Sequence, residues 1–106
     1  VFLHEQKKQA GEALPLLLSA RDGLDRALPG HWMVWVTDGL IADALRDLKR
    51  YDEALARGLR AYTGLHSTLG PQHARTRIAA DSVWAIYEAM GVPAQVKAWK
   101  KLAGRE

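Results

Sequence analysis

Cysteine and asparagine are missing from this 106-residue chain, and phenylalanine occurs once. Without cysteine there is no disulfide, no thiolate metal site and no thiol nucleophile. β-Branched residues are sparse while Ala, Leu and Arg abound, a balance that favours helix throughout. The longest apolar run, which contains Leu14–Leu18, falls far short of the ~20 residues that a membrane span needs, so no membrane partner is expected. No basic stretch followed by an apolar one opens the chain, and no signal peptide is expected. The first residue is Val1 rather than Met, which reads as a piece of something larger or a chain whose start is missing.

Charge is present in both signs, with 15 Lys and Arg against 12 Asp and Glu, for a net +3. The basic residues are spread along the chain (Lys7, Lys8, Arg46, Arg60, Lys97, Lys101) rather than gathered in a run. Nucleic-acid binders concentrate such residues on one face, so nucleic acid is not an expected partner. The length is that of one domain, able to bury roughly 60–70% of the surface its unfolded form would expose.

Internal repetition organises the chain. Leu28-Pro29-Gly30-His31 has a counterpart in Leu69-Gly70-Pro71-Gln72-His73, which sets the histidines 42 residues apart. At that offset Ile41 falls on Val83, Ala44 on Ile86, Leu45 on Tyr87 and Ala54 on Val96. Backwards, with one residue fewer in the loop, Ala13 falls on Ala54, Leu18 on Leu59, Ala20 on Ala61 and Leu24 on Leu65.

Apolar spacings of three, four and seven mark amphipathic helices within each unit. Ile41, Leu45 and Leu48 share a face, as do Leu55, Leu59, Tyr62 and Leu69; then come Val83, Ile86, Tyr87 and Met90, and last Val96, Trp99 and Leu102. Gly91 and Pro93 suit a helix end and the first turn of the next helix. The pattern predicts a remnant at about 1–8, then helices at about 11–27, 32–48, 52–68, 73–90 and 94–103. A start near Ala10–Gly11 would leave Pro15 about one turn in, where its missing N–H matters least.

Arg50-Tyr51-Asp52-Glu53-Ala54 resembles the turn and second-helix start of a tetratricopeptide repeat. Glu12-Ala13-Leu14-Pro15-Leu16 with Ala20 resembles the same segment in the roughly 42-residue variant found in kinesin light chains and bacterial signalling proteins. Leu69 to Thr76, then Val83 to Tyr87 and Gly91, is similar to that variant's loop and leading helix. The resemblance covers nearly the whole chain. It implies an all-α solenoid of stacked antiparallel helix pairs, one domain over 1–106 divided into a partial repeat at 1–28, a repeat at 29–69 and a last repeat with terminal helix at 70–106. The closing Tyr87-Glu-Ala-Met-Gly-Val-Pro93 resembles the last repeat of bacterial proteins, some Ser/Thr kinases with repeat tails among them.

The chain departs from the family pattern in places. Gly58 stands where Leu17 stands one unit earlier, and Trp84 where Ala42 stands. The expectation is that Gly58 makes room for the Trp84 indole. The Asn pairs that hold a ligand backbone in related chains are replaced here by Gly39-Leu40 and Asp81-Ser82.

By the resemblance, the leading helices line a concave face that binds a partner. The stripe implied is Val36, Gly39, Asp43, Arg46 and Asp47 on one helix, and Ile78, Asp81, Ala85 and Glu88 on the next. Its acidic residues outnumber the single Arg46, with Arg57, Arg60, Lys97, Lys100 and Lys101 on the opposite helices. An acidic groove selects basic partners. The expected function is a scaffold for a protein or peptide of basic character, in the cytoplasm, within a larger bacterial protein. The alternatives are self-association into a homodimer or a regulatory tail of a Ser/Thr kinase or regulator. Val1, Phe2 and Leu3 read as the end of an incomplete helix pair, which would leave Leu14, Leu17, Leu18 and Leu24 partly uncovered for a second copy.

No enzymatic chemistry is expected of this segment. His4, His31, His66 and His73 lack carboxylates at zinc-like spacing, and no metal or other cofactor is implied. Asp43 and Asp47 form an i,i+4 pair, but nothing in the sequence buries either to raise its pKa, so they read as solvated charges. No serine sits in a nucleophile elbow, and no Gly-rich loop precedes a Lys-Ser/Thr pair.

Overall fold

The structure is a computed structural model that describes residues 2–105, with side chains from residue 5 onward. It is all-helical: α1 (Phe2–Ala27), α2 (Trp32–Asp47), α3 (Tyr51–Leu69), α4 (Ala74–Met90) and α5 (Pro93–Leu102). Each helix packs on the next in chain order, and α2 also lies against α4. The first core cluster joins Ala10 and Leu14 of α1 to Ile41, Ala42, Ala44 and Leu45 of α2, with Ala54 and Ile86. The second joins Ala61 and Leu65 of α3 to Ala79 of α4 under Trp32, Trp35 and Val36. Met90 and Leu102, which spacing puts on apolar faces, are exposed.

The two repeats end their helices alike. His31 Nδ1 accepts from the Met33 N–H at 3.2 Å, and His73 Nδ1 accepts from the Arg75 N–H at 3.1 Å. Each imidazole thereby satisfies one amide that a helix start leaves free. At the other ends, Arg50 N–H donates to the Leu45 carbonyl at 2.9 Å and Val92 N–H to the Tyr87 carbonyl at 3.0 Å. This turn needs a left-handed residue. Gly91 supplies it at φ 77°, but the first repeat uses Lys49 at φ 61°.

The remnant at 1–8 and the break before residue 11 are not present; α1 runs unbroken through Pro15. Continuity keeps Ala10 and Leu14 one turn apart on the face buried against α2, while Pro15 itself is exposed. The lost hydrogen bond of the proline is outweighed by that burial. Leu14, expected to be partly uncovered, is buried; Leu17, Leu18 and Leu24 are half-buried, the first two packed on the core, and among the described leucines of this helix Leu16 is the exposed one. The part of the incomplete-pair reading that rests on Val1, Phe2 and Leu3, like His4, lies outside the described side chains.

The expectation for Gly58 needs correction. A Cβ there would meet Val83 Cγ2 at 3.2 Å and Ile86 Cδ1 at 3.4 Å, so the glycine makes room for the α4 core rather than for Trp84. The glycine that admits an indole is Gly64, where a Cβ would fall 2.2 Å from Trp35 Cδ2.

A carboxylate ties the first three helices together. Asp38 of α2 is fully buried. Arg57 of α3 donates to its Oδ1 at 2.8 Å, and Arg21 of α1 reaches Oδ2 through Nη2 and Nε at 3.3 and 3.4 Å. Arg57, which the sequence places on the helix opposite the leading one, thus turns toward the buried Asp38. One repeat later the equivalent positions are Tyr62, Ala80 and Trp99. There Tyr62 and Trp99 pack edge to face, 4.8 Å between centroids, and Ala80 is fully buried.

Three substitutions test this account in thermal and denaturant unfolding. Lys49→Gly should stabilise by about 1 kcal/mol by relieving the left-handed residue. Gly64→Ala should destabilise by about 1–3 kcal/mol through overpacking, although Gly→Ala in a helix ordinarily helps; a higher melting temperature would show that Trp35 has other room. Asp38→Ala should cost about 2–4 kcal/mol, because two partly buried guanidinium groups lose their counter-charge. A loss within the noise of a surface mutation would mean that apolar packing alone holds α1 in place.

Candidate functional site

Most of the predicted stripe lines a cleft between α2 and α4. The two helices run side by side, so residues a helical turn apart on each come to face one opening. A hollow of about 100 Å³ lies there, with Trp35, Val36, Leu65 and Ala79 as floor and walls. Gly39, Leu40, Asp43, Ile78 and Ser82 complete the lining, and Arg75 stands at the rim. A second, more open hollow continues along the cleft past Asp43, Ile78 and Ser82 to Arg46, Asp81, Trp84, Ala85 and Arg105.

The structure therefore brings together Val36, Gly39, Asp43, Arg46, Ile78, Asp81 and Ala85. Asp47 does not line either hollow; it leans on Arg46 at 3.7 Å. Glu88 lies elsewhere, in the hollow between α4 and α5 with Val96, Lys97 and Lys100. Trp84 donates its indole N–H to Asp81 at 2.8 Å and carries the Lys100 ammonium over its ring at 4.7 Å.

The acidic surplus expected of this face is largely paired off within the chain. Arg105, beyond the end of α5, donates to both Asp81 oxygens at 3.0 and 2.7 Å. This contact, ahead of the Trp84 hydrogen bond, holds the Asp81 carboxyl below the ordinary aspartate range. Arg46 stands 3.5 Å from Asp43 and 3.7 Å from Asp47. Arg75 adds a further cation, stacked over Trp32 at 4.2 Å.

Asp43 is not the freely solvated charge that its spacing suggests. Burial in the cleft pushes its pKa up, with the Ser82 hydroxyl and Arg46 pulling it back and Asp47 pushing it further. Its side chain keeps 40% of its exposure, so the effect is moderated by water.

Sequence reasoning missed Leu40, Trp35, Ser82, Arg75 and Arg105. Leu40 and Ser82 stood only as substitutes for absent asparagines. Arg105 follows the last helix, so no helical period links it to Asp81. Of the four histidines, His31 and His73 cap helices and His66 packs against Tyr62 at 5.7 Å between centroids. Among the described residues no helix is long and apolar enough to cross a membrane.

No protein-family model, curated protein or solved structure matches the chain, so no relative lends it a function.

The Asp43 environment has a pH signature. Its pKa is raised in the folded chain, so the ionised form works against folding above that raised value, and the penalty fades as pH falls toward the unfolded value of 3.8. Asp43→Asn should therefore raise the melting temperature by a few degrees at most near neutral pH, and the gain should shrink as the pH approaches 4. A melting temperature lowered equally at every pH would show that Asp43 is needed for its hydrogen bonds rather than burdened by its charge.

Proposed function

We propose that this chain is a helical-repeat interaction module of the tetratricopeptide type, holding a peptide or protein segment in the cleft between α2 and α4. The observation that carries this is the pair Leu40 and Ile78. They stand on opposite walls of one apolar hollow and are 50% and 61% exposed. Apolar side chains gathered at a concave opening are the ordinary mark of a binding site.

The repeat geometry supports the same reading. Histidine caps recur at His31 and His73, and the same closing turn recurs at Lys49 and Gly91. The leading helices α2 and α4 of successive units touch, which is how stacked pairs build a continuous face.

Self-association is the second reading, favoured by Leu16 of α1, which is 73% exposed. In either case the module would serve a larger bacterial protein by bringing a partner to it.

Capture from lysate on the immobilised chain, wild type beside Leu40→Glu/Ile78→Glu, tests the cleft. Both residues are exposed, so the variant should keep its helicity while losing at least about tenfold in captured partner. Equal capture by both baits, or capture of nothing but the chain itself, would overturn the assignment and favour association through α1.

A further inference from the structure

We propose that the cleft takes a segment in which an apolar side chain stands next to a lysine or arginine, the apolar group filling the hollow and the cation meeting Asp43. This rests on the reading of the cleft as a partner site and names the partner's chemistry.

The apolar half follows from the hollow. About 100 Å³ is somewhat less than the roughly 150 Å³ apolar cavity that accepts a benzene ring, and so suits one aliphatic side chain. Val36, Leu40, Ile78 and Ala79 line it, and water there has few polar partners.

The cationic half follows from which carboxylates are already engaged. Asp81 is held by Arg105 and Trp84. Asp47 lines neither hollow, and Glu88 belongs to the opening between α4 and α5. Asp43 alone among the four lines both hollows of the cleft. Its one cationic neighbour, Arg46, stands at 3.5 Å and is shared with Asp47. A charge-assisted hydrogen bond is about 2.7–2.9 Å long and a carboxylate accepts at about four lone pairs, so the Ser82 hydroxyl and the more distant Arg46 leave Asp43 acceptor capacity unused.

At the opposite end of the hollow from Asp43, Arg75 sits stacked on Trp32. A bound segment is therefore oriented, with its Lys or Arg at Asp43, between the two hollows, and its neutral or acidic flank toward Arg75. An acidic residue beside the apolar anchor would face Asp43 across a partly desolvated gap and be rejected.

The test uses a random dodecapeptide display library selected on the immobilised 106-residue chain and, in parallel, on Asp43→Asn. Enriched peptides are then synthesised and mapped by amide NMR. The expected winners carry Leu, Ile, Met or Phe within two positions of Lys or Arg and shift the amides of Gly39, Asp43, Ile78 and Ser82. Replacing the peptide's Lys by Gln should weaken binding to the wild type about fivefold, and binding to Asp43→Asn by less than about twofold. Peptides that shift the same amides without a basic preference, or that bind Asp43→Asn equally well, would overturn the charge assignment and leave the cleft standing. Peptides that enrich but map elsewhere, or a library that yields none, would overturn both.

Discussion

Asp38 is the constraint on which the first half of the molecule depends. A carboxylate fully removed from water is tolerable only when its oxygens are met, and here they are met from two different helices. Arg21 must come from α1 and Arg57 from α3, so the ion cluster fixes the register of both against α2. Among the described residues α1 packs on α2 alone. A slide of α1 by one turn would still offer leucines to the core, but it would remove Arg21 from Asp38. The apolar contacts supply most of the attraction, and the charge decides among the placements they would permit.

The second half solves the same geometric problem without charge. At the repeat-equivalent positions the arginines become Tyr62 and Trp99 and the aspartate becomes Ala80. The two rings meet edge to face, and the residue in the aspartate's place is small and buried. Aromatic pairs in this arrangement gain about 0.5–1.5 kcal/mol beyond the area they bury, with no desolvated charge to compensate. The two layers thus hold the same helix arrangement by different means, one directional and electrostatic, the other directional through the ring quadrupoles. A repeat tolerates such an exchange because each node touches only its own three helices.

The sequence was most legible where local chemistry decides. Four helices begin and end within a residue of what apolar spacing, Gly91 and Pro93 predict, because caps and turns are set by neighbours in the chain. Pro15 was misread for the opposite reason. Its local preference favours a helix start close before it, and only the burial of Ala10 against α2, a tertiary fact, carries the helix past Gly11. Gly58 and Gly64 show the same limit. Both mark close approach, but which side chain fills each space depends on how α3 faces its neighbours. The cleft was legible as a stripe of positions. Its charge was not, because Arg75 and Arg105 reach it from a helix start and from beyond a helix end, outside any helical period.

The openness of the cleft follows from the same packing that builds the core. Trp35 is large enough to fill the space between α2 and α4. Gly64 instead lets the indole sink against the α3 backbone, where a single Cβ would collide with it. Buried there, its Nε1 has no acceptor, so ring packing is what holds it. With the ring drawn down beside Leu65 and Ala79, the side chains left to close the gap are Gly39, which has none, and Leu40 and Ile78, which stand at the edges. Asp43 and Ser82 then keep the floor's far end polar. An ordinary core would have closed this gap with one more aliphatic residue at position 39, where a Cβ meets nothing nearer than 3.8 Å. The hollow is therefore compatible with a well-packed interior on one side and an unfilled surface on the other, which is the combination a preformed binding site requires.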